Sequence, residues 1–152
     1  MNTRTCIRSA TAADLPVLVG LLGQLFEIEA DFRPDPVRQR LGLAALLADH
    51  EHRAVLVAER DGDVVGMVTA QLVVSTAEGA LSALVEDMIV DANHRGHGIG
   101  AALLRDVEGW ARARGAARLQ LLADRENAPA LAFYERMGWR GTRMVCLRRG
   151  GT

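Results

Sequence analysis

The segment 85–101 most restricts what this chain can fold into, because it reads as the end of a strand, a polar turn and the start of a helix. Its sequence is VEDMIVDANHRGHGIGA, with glycines at positions 96, 98 and 100 directly after Arg95. Glycines let successive backbone N–H groups converge on a ligand without obstruction by Cβ atoms. The helix that follows points its free N–H groups and positive dipole end at the same place. With the fork-shaped guanidinium of Arg95, the segment predicts an anion site suited to a phosphate or pyrophosphate.

The periodicity of apolar residues predicts a single mixed unit of strands and helices. The clearest element is a hairpin, in which two β-rich runs are joined around Asp61–Gly62. Asp35 can cap the second helix, with Pro36 at its first position. The predicted strands are residues 5–8, 54–59, 64–74, 81–90, 119–122 and 144–147. The predicted helices are residues 14–29, 36–49, 98–114 and 128–137. This order predicts the α/β (α+β) class.

Composition excludes several classes of protein. With 152 residues, 49% hydrophobic and 24% charged, the chain reads as one globular domain over 1–152. The longest uncharged run, 64–77, is too short and too polar to cross a bilayer, so no membrane partner is expected. All eighteen basic residues are arginines, which excludes lysine nucleophiles and a Walker-type phosphate lysine. The net charge of −1 provides no positive field for nucleic acid.

Cysteine and histidine usage points away from disulfide and metal chemistry. Cys6 and Cys146 lie near opposite ends of the chain, and we expect two buried thiols in a reducing, cytoplasmic setting rather than a disulfide. His94 and His97 stand three apart in the glycine-rich turn, but two histidines without further ligands make a weak metal site. We therefore predict no metal and interpret both histidines as turn residues near the phosphates.

Three interpretations of the glycine-rich turn compete. The turn could hold no ligand at all. It could be a dinucleotide-binding loop, since Gly96-x-Gly98-x-x-Ala101 fits that pattern and Asp124 ends the next strand. However, that motif places its first glycine immediately after the first strand of the fold, whereas about eighty-five residues precede this site and residues 91–95 separate it from its strand. The third interpretation rests on resemblance to a known family.

Two segments of the chain resemble the signatures of the GNAT superfamily of N-acetyltransferases. RGHGIG at 95–100 looks like its R-x-x-G-x-G loop, and NAPALAFYERMGW at 127–139 looks like its N-x-x-A-x-x-F-Y-x-x-x-G-F/W segment. The start, IRSATAADL at 7–15, is similar to the usual first strand and helix. The resemblance spans essentially the whole chain. It implies a mostly antiparallel mixed sheet of about six to seven strands with about four helices, and a splayed parallel strand pair at the cofactor cleft.

The resemblance also implies an acetyl-CoA site. The backbone of one strand end would hold the pantetheine arm, the turn would hold the pyrophosphate, and the start of the last helix would contact the arm from the other side. The arm would lie against Met88, Ile89 and Val90. The pyrophosphate would contact Arg95, Gly96, His97, Gly98, Ile99, Gly100 and Ala101. The residues on the opposite side would be Asn127 and Ala130.

Tyr134 matches the family's tyrosine that protonates the thiolate leaving group. The alternative is an aromatic side chain packed in the core beside Phe133. Neighbouring helix residues point about 100° apart, so the two rings cannot face one partner. We therefore expect Phe133 in the core and Tyr134 at the sulfur.

Glu86 and Asp87 are the candidate bases, and an acceptor amine needs one because it is mostly ammonium near neutral pH. Successive strand residues face opposite sides, so only one of the two is expected to face the cleft. The run Glu86-Asp87-x-x-Val90 is similar to the diamine (spermidine/spermine) acetyltransferases, whose matching glutamate contacts the acceptor and serves as the base. The alternative for Glu86 is an ordinary carboxylate on a solvated strand face.

Glu29 aligns with a position that binds the amine substrate in those diamine enzymes, although a solvated helix end would explain it equally well. With Glu86 and Asp87, it would suit a small cationic acceptor attacked directly in a ternary complex. Open alternatives are a protein N-terminus or lysine as acceptor, another acyl-CoA, and a non-catalytic CoA-binding regulatory module. A homodimer is expected from the habit of the family.

Overall fold

The centre of the molecule is a five-stranded sheet in the order β1-β2-β3-β4-β5, in a computed structural model that describes residues 4–151. The first three pairings are antiparallel, and β4 and β5 pair in parallel. The strands are β1 (Thr5–Ser9), β2 (Arg53–Arg60), β3 (Asp63–Ser75), β4 (Ala80–Val90) and β5 (Ala116–Leu121). The predicted mixed α/β class is confirmed.

Helices cover both faces of the sheet. They are α1 (Leu15–Ile28), α2 (Pro36–Leu47), α3 (Ile99–Ala113) and α4 (Ala128–Arg136), with short 3-10 turns at Ala12–Asp14 and Ala92–His94. As predicted, Asp35 caps α2, because its carboxylate accepts a hydrogen bond from the Arg38 backbone N–H at 3.1 Å. On β3, Met67 is buried with residues of α1 and α2, whereas Val68 is buried with residues of α3. Because successive side chains of β3 face opposite sides of the sheet, they belong to two separate hydrophobic cores.

A β-bulge interrupts β4. Met67 pairs with Ile89 and Thr69 pairs with Glu86, so two residues of β4, Asp87 and Met88, lie opposite one residue of β3. Within this bulge Asp87 has a φ of +50°, a left-handed conformation that aspartate adopts more readily than most residues. The extra residue changes which positions face α3. Before the bulge Val85 packs in the core under α3, and after it Met88 does.

The parallel pair β4–β5 separates halfway along β4. The pairing with β5 ends at Val85 and Leu121, while β4 continues to Val90 with β3 as its partner. Within the described part of the chain, the β5-side edge of residues 86–90 therefore has no strand partner. Its backbone N–H and C=O groups are left available to a ligand. This is the splayed pair that the resemblance implied.

Two expectations about the C-terminal region and the cysteines are wrong. Residues 144–147 form no strand, so the sheet has five strands rather than six to seven. They make no strand pairing, and Met144, Val145 and Leu147 are 86%, 71% and 89% exposed. Cys6 and Cys146 are free but exposed rather than buried: Cys6 lies in the edge strand β1, and Cys146 in this uncovered segment.

The remaining element boundaries shift by a few residues at most, the largest shift being β5, which begins at Ala116 instead of 119. In the described range, no helix combines the length and apolar character that crossing a bilayer requires.

Candidate active site

The glycine-rich turn presents free amides at the start of α3. Gly96 and Gly98 have φ values of +82° and +76°, conformations that other residues adopt only with strain. The first intrahelical bond of α3 runs from the Ala102 N–H to the Gly98 carbonyl, and no side chain of Gly98 is present to cap the helix. The N–H groups of residues 99–101 therefore remain available, and the positive end of the α3 dipole lies with them.

Gly100 lets the start of α3 approach the free end of β4. A Cβ atom at this position would lie 3.3 Å from Met88 Cε and 3.6 Å from Phe133 Cζ. Arg95 is exposed, and its Nε donates to the Val90 carbonyl at 3.1 Å. The amides of the turn and the unpaired edge of residues 86–90 therefore lie at the same end of β4.

Helix α4 positions a half-buried tyrosine. The helix begins at Asn127, whose Oδ1 accepts from the Ala130 N–H at 3.2 Å. The Tyr134 ring lies 5.3 Å from that of Phe133 and 6.2 Å from that of Trp139, measured between centroids. Trp139 is in turn held by Glu108, which accepts from its Nε1 at 3.0 Å. The Tyr134 hydroxyl makes no hydrogen bond to any described residue. Burial, and secondly the charge of Glu29, raise the pKa of Tyr134.

A cluster of carboxylates surrounds Glu29, the residue that ends α1. Burial raises the pKa of Glu29 to about 7, and the neighbouring charges contribute in the order Asp87, Asp124, Asp31 and Glu86. These residues come from separate parts of the chain. Asp87 lies in the bulge where β4 leaves β5, and Asp124 lies three residues after the end of β5. The cluster is therefore placed at the opening between the two strands.

The bulge brings both candidate bases to this cluster. Burial, followed by the charge of Glu86, raises the pKa of Asp87 to about 6, while a hydrogen bond from the Thr69 hydroxyl at 3.3 Å opposes the rise. Because Val85 before the bulge and Met88 after it both pack with residues of α3, Glu86 and Asp87 share the opposite face, and the expectation that only one of them faces the cleft is wrong. Strict alternation holds only in a regular strand, and the extra residue at Asp87 breaks it.

Sequence reasoning missed two members of the site. Asp124 was considered only for a dinucleotide pattern, although its place just after a strand that pairs in parallel could have indicated a site residue. Thr69 carries no signal in the sequence, because its contact with Asp87 depends on the register of β3 and β4. Tyr134, Glu29, Glu86 and Asp87 were predicted site residues; Glu29 is within electrostatic reach of the other three, and their roles stay predictions.

The two histidines of the turn lie in different surroundings. No group of three His, Cys, Asp or Glu side chains in residues 4–151 is arranged to hold a metal ion. His94 lines a surface cavity with Arg8, Asp14 and Asp63, whereas His97 is exposed on the turn. Their proposed proximity to phosphates stays a prediction.

Comparison with known proteins decides the family. Residues 22–139 match the model of the acetyltransferase (GNAT) family. The chain belongs to the GNAT acetyltransferase family. An aminoglycoside N(6')-acetyltransferase type 1 of Stenotrophomonas maltophilia is 31% identical over 142 residues, which is 91% of this chain and 88% of that protein. The streptothricin acetyltransferase of Streptomyces lavendulae is 37% identical over 91 residues, covering 60% of this chain but 46% of that protein.

The fold agrees with that of a solved GNAT structure. An aminoglycoside N-acetyltransferase in complex with CoA has a TM-score of 0.84 and 20% sequence identity, with 99% of this chain and 97% of that chain covered. The GNAT fold class is therefore confirmed. The first curated relatives that match are longer proteins, and the chain spans less than half of their length. The expected likeness to diamine acetyltransferases is not confirmed.

The residues of the turn fit a CoA-type ligand. The positions where a Cβ would project from Gly96 and Gly98 have no protein atom within 4 Å. The turn thus combines unobstructed glycines, free amides and Arg95, which suits a pyrophosphate. The unpaired edge of residues 86–90 offers hydrogen-bonding groups to an amide-containing arm such as pantetheine.

Gly98→Ala is expected to weaken acetyl-CoA binding and to lower stability, because alanine is strained at a φ of +76°. We expect the free energy of unfolding to fall by about 1–2 kcal/mol and KM for acetyl-CoA to rise roughly tenfold as the turn relaxes. Gly109→Ala is the matched control, since Gly109 is exposed within α3 and has no atom within 4 Å of its Cβ position. It should gain about 0.5–1 kcal/mol with KM unchanged. Urea unfolding and steady-state kinetics measure both, and identical behaviour of the two variants would contradict the role of the turn.

Proposed function

We propose that this chain is an acetyl-CoA-dependent N-acetyltransferase that moves an acetyl group to a primary amine of a small cationic acceptor. The observation that carries the proposal is the meeting of Tyr134 with the carboxylates around Glu29 at the opening between β4 and β5. An acid and a set of bases would thus both be close to the thioester. The transfer needs both functions.

The chain's own residues would hold the cofactor in three places. The backbone N–H groups of the turn would donate hydrogen bonds to the pyrophosphate, with the guanidinium of Arg95 beside it. The turn residues are Gly96, His97, Gly98, Ile99, Gly100 and Ala101. The pantetheine arm would lie along the backbone of Met88, Ile89 and Val90. Asn127 uses its Oδ1 to cap α4, which leaves its Nδ2 free to donate to the arm beside Ala130. Bound acetyl-CoA supplies an activated thioester carbonyl.

The remaining steps belong to the protein. A carboxylate accepts a proton from the acceptor ammonium, and the neutral amine forms a C–N bond to the acetyl carbon while the C–S bond breaks. Tyr134 donates its phenolic proton to the departing sulfur, and its phenolate is reprotonated by the proton that the attacking nitrogen loses as the amide forms. Attack is direct, in a ternary complex. No acetyl-cysteine intermediate is proposed, because neither Cys6 in β1 nor Cys146 in the C-terminal segment belongs to the turn, to β4 or to α4.

We propose Glu29 as the first candidate for the base. A general base works best when its pKa lies near the operating pH, and the pKa of Glu29 is raised to about 7. The sequence-based prediction of Glu86 as the base is kept beside it, since Glu86 is exposed and belongs to the same cluster. In either case Glu29, Glu86 and Asp87 would bind the acceptor through their charge.

A cationic acceptor is favoured by the five carboxylates of the cluster, Glu29, Asp31, Glu86, Asp87 and Asp124. Aminoglycoside and streptothricin acetyltransferases among the relatives are consistent with this class. Whether the acceptor is a polyamine or an amino sugar is decided by assay.

The test is a thiol-release assay with acetyl-CoA and a panel of polyamines, aminoglycosides, amino acids and peptides. We expect release with small molecules that carry two or more amines, and little release with neutral or acidic acceptors. Thiol release with peptides alone would indicate that the acceptor is a protein N-terminus or a lysine side chain. Retained CoA binding without release for any amine would indicate a non-catalytic CoA-binding module.

We further propose a homodimer that uses the C-terminal segment. Met144, Val145 and Leu147 are strongly exposed, and β5 is an edge strand of the sheet. Exposed apolar groups of this kind favour association. Light scattering should give twice 16.4 kDa for the native chain and 16.4 kDa for Val145→Asp. Val37→Asp on α2 is the matched control, because Val37 is also 71% exposed. A monomeric native chain, or equal effects of both variants, would refute the interface.

A further inference from the structure

A cation is held at the connection between α1 and α2. The guanidinium of Arg148 lies over the Phe32 ring, 5.0 Å from its centroid, and Arg148 Nη1 lies 3.7 Å from Asp31 Oδ2. The Phe32 ring packs against Phe26 at 5.5 Å between centroids. Asp31 and Phe32 together form what we call the clamp, a carboxylate beside an aromatic face. This pairing recognises alkylammonium groups as well as guanidinium.

The clamp borders the cluster of carboxylates around Glu29. Asp31 is one of the charges that raise the pKa of Glu29, and the Phe32 N–H donates to the Glu29 carbonyl at 3.4 Å. Phe32 is three positions after Glu29, so their Cα atoms are at most about 11 Å apart. A flexible acceptor with two cationic groups can therefore place one on the clamp and the other beside Glu29.

Arg148 reaches the clamp from more than a hundred residues further along the chain, in the segment that follows α4. The contact is weak because both charged side chains are exposed to solvent. The Arg148 side chain is 42% exposed and that of Asp31 is 75% exposed, so solvent screens the ion pair. A cation that is weakly held on a partly exposed aromatic face can be displaced by another cation of the same class.

We propose that the clamp is a second cation subsite of the acceptor cleft and that Arg148 occupies it until an acceptor with at least two ammonium groups displaces it. This inference rests on the proposed function and deepens it in two ways. The subsite would favour dicationic over monocationic acceptors, and Arg148 of the C-terminal segment would compete with the acceptor for it.

The test is titration calorimetry on the full chain with CoA present, at one fixed salt concentration because screening affects every charge. Spermidine is the polycationic probe and propylamine the monocationic one. Arg148→Ala should bind spermidine about threefold to tenfold more tightly, the size of a partly exposed cation–π contact plus a surface ion pair. Phe32→Leu should bind spermidine more weakly by a similar factor. Propylamine affinity should stay the same in both.

Two controls separate the clamp from bulk charge. Arg148→Lys keeps a cation at the same position and should bind spermidine nearly as the native chain does. Arg149→Ala removes the neighbouring arginine and should leave spermidine affinity unchanged. The proposal is overturned if Arg149→Ala tightens spermidine binding as much as Arg148→Ala does, if Arg148→Ala has native affinity, or if Arg148→Ala binds no spermidine.

Binding is measured without turnover, so the two proposals fail separately. If no amine releases thiol and the expected pattern of spermidine affinities still holds, the subsite stands and the catalytic proposal falls. If amines release thiol and the spermidine affinities are equal in all variants, acetyl transfer stands and the subsite falls.

Discussion

Tyr134→Phe is expected to lower kcat by about 10²–10⁴-fold, the usual contribution of a positioned general acid. The change removes only the phenolic oxygen, which would protonate the thiolate of CoA as the C–S bond breaks. KM for acetyl-CoA should stay nearly constant, because the hydroxyl is not part of the turn that would bind the pyrophosphate. Steady-state kinetics over a range of acetyl-CoA concentrations separate the two parameters.

The fold should be unaffected by this change, since the Tyr134 hydroxyl makes no hydrogen bond within residues 4–151. Thermal unfolding of the variant therefore serves as its control. The ionisation of the phenol can also be followed directly, because Tyr134 is the only tyrosine of the chain. Burial and then Glu29 raise its pKa, so the phenol stays protonated through the neutral range, and Glu29→Gln should move its tyrosinate absorbance to lower pH. A Tyr134→Phe variant with native kcat would remove Tyr134 from the mechanism.

Glu29→Gln is expected to lower kcat/KM by about 10²–10⁴-fold near pH 7, because the acceptor ammonium then loses its base. Activity should recover at high pH, where the amine deprotonates itself. In the native chain kcat/KM should rise as pH passes about 7, where Glu29 ionises against Asp87, Asp124, Asp31 and Glu86. Glu86→Gln is the comparison variant and should lose less. The larger loss in Glu86→Gln would transfer the base role to that residue.

Stability measurements show whether Glu29→Gln acts on the chemistry alone. The pKa of Glu29 rises from its ordinary value of 4.5 to about 7 in the folded protein, so the folded state binds this proton more tightly than the unfolded state. The contribution of Glu29 to the free energy of unfolding therefore falls as pH rises from about 4.5 to about 7. Above pH 7, Glu29→Gln should be more stable than the native chain by about 1 kcal/mol, a figure reduced for the partial exposure of the side chain. At pH 4.5 the two should be equal. A less active and more stable variant cannot owe its loss to unfolding.

The elements that could be predicted are those whose signals are local. The hairpin around Asp61–Gly62, the Asp35 cap and the start of α3 after three glycines each depend on residues close together in the chain. Residues 144–147 show the limit of such signals. They have the composition of a strand, but a strand forms only when its hydrogen bonds are accepted by another strand, and residues 144–147 pair with none.

The candidate site was predictable to the same extent. Tyr134 and the turn could be found because each belongs to a continuous motif. The shared orientation of Glu86 and Asp87 could not, because it follows from a bulge whose position is set by pairing with β3. The contact of Arg148 with Phe32 could not be predicted either, since it joins residues more than a hundred positions apart.

The sequence by itself determined the class of fold, the family signatures and the residue types available for catalysis, because periodicity, turn chemistry and motif spacing are local properties of a chain. Only the tertiary structure decided where β4 leaves β5, which carboxylates gather around Glu29 and how far their pKa values move. Those features arise from strand register and from burial, which depend on neighbours that lie far apart in the chain and come together only when it folds.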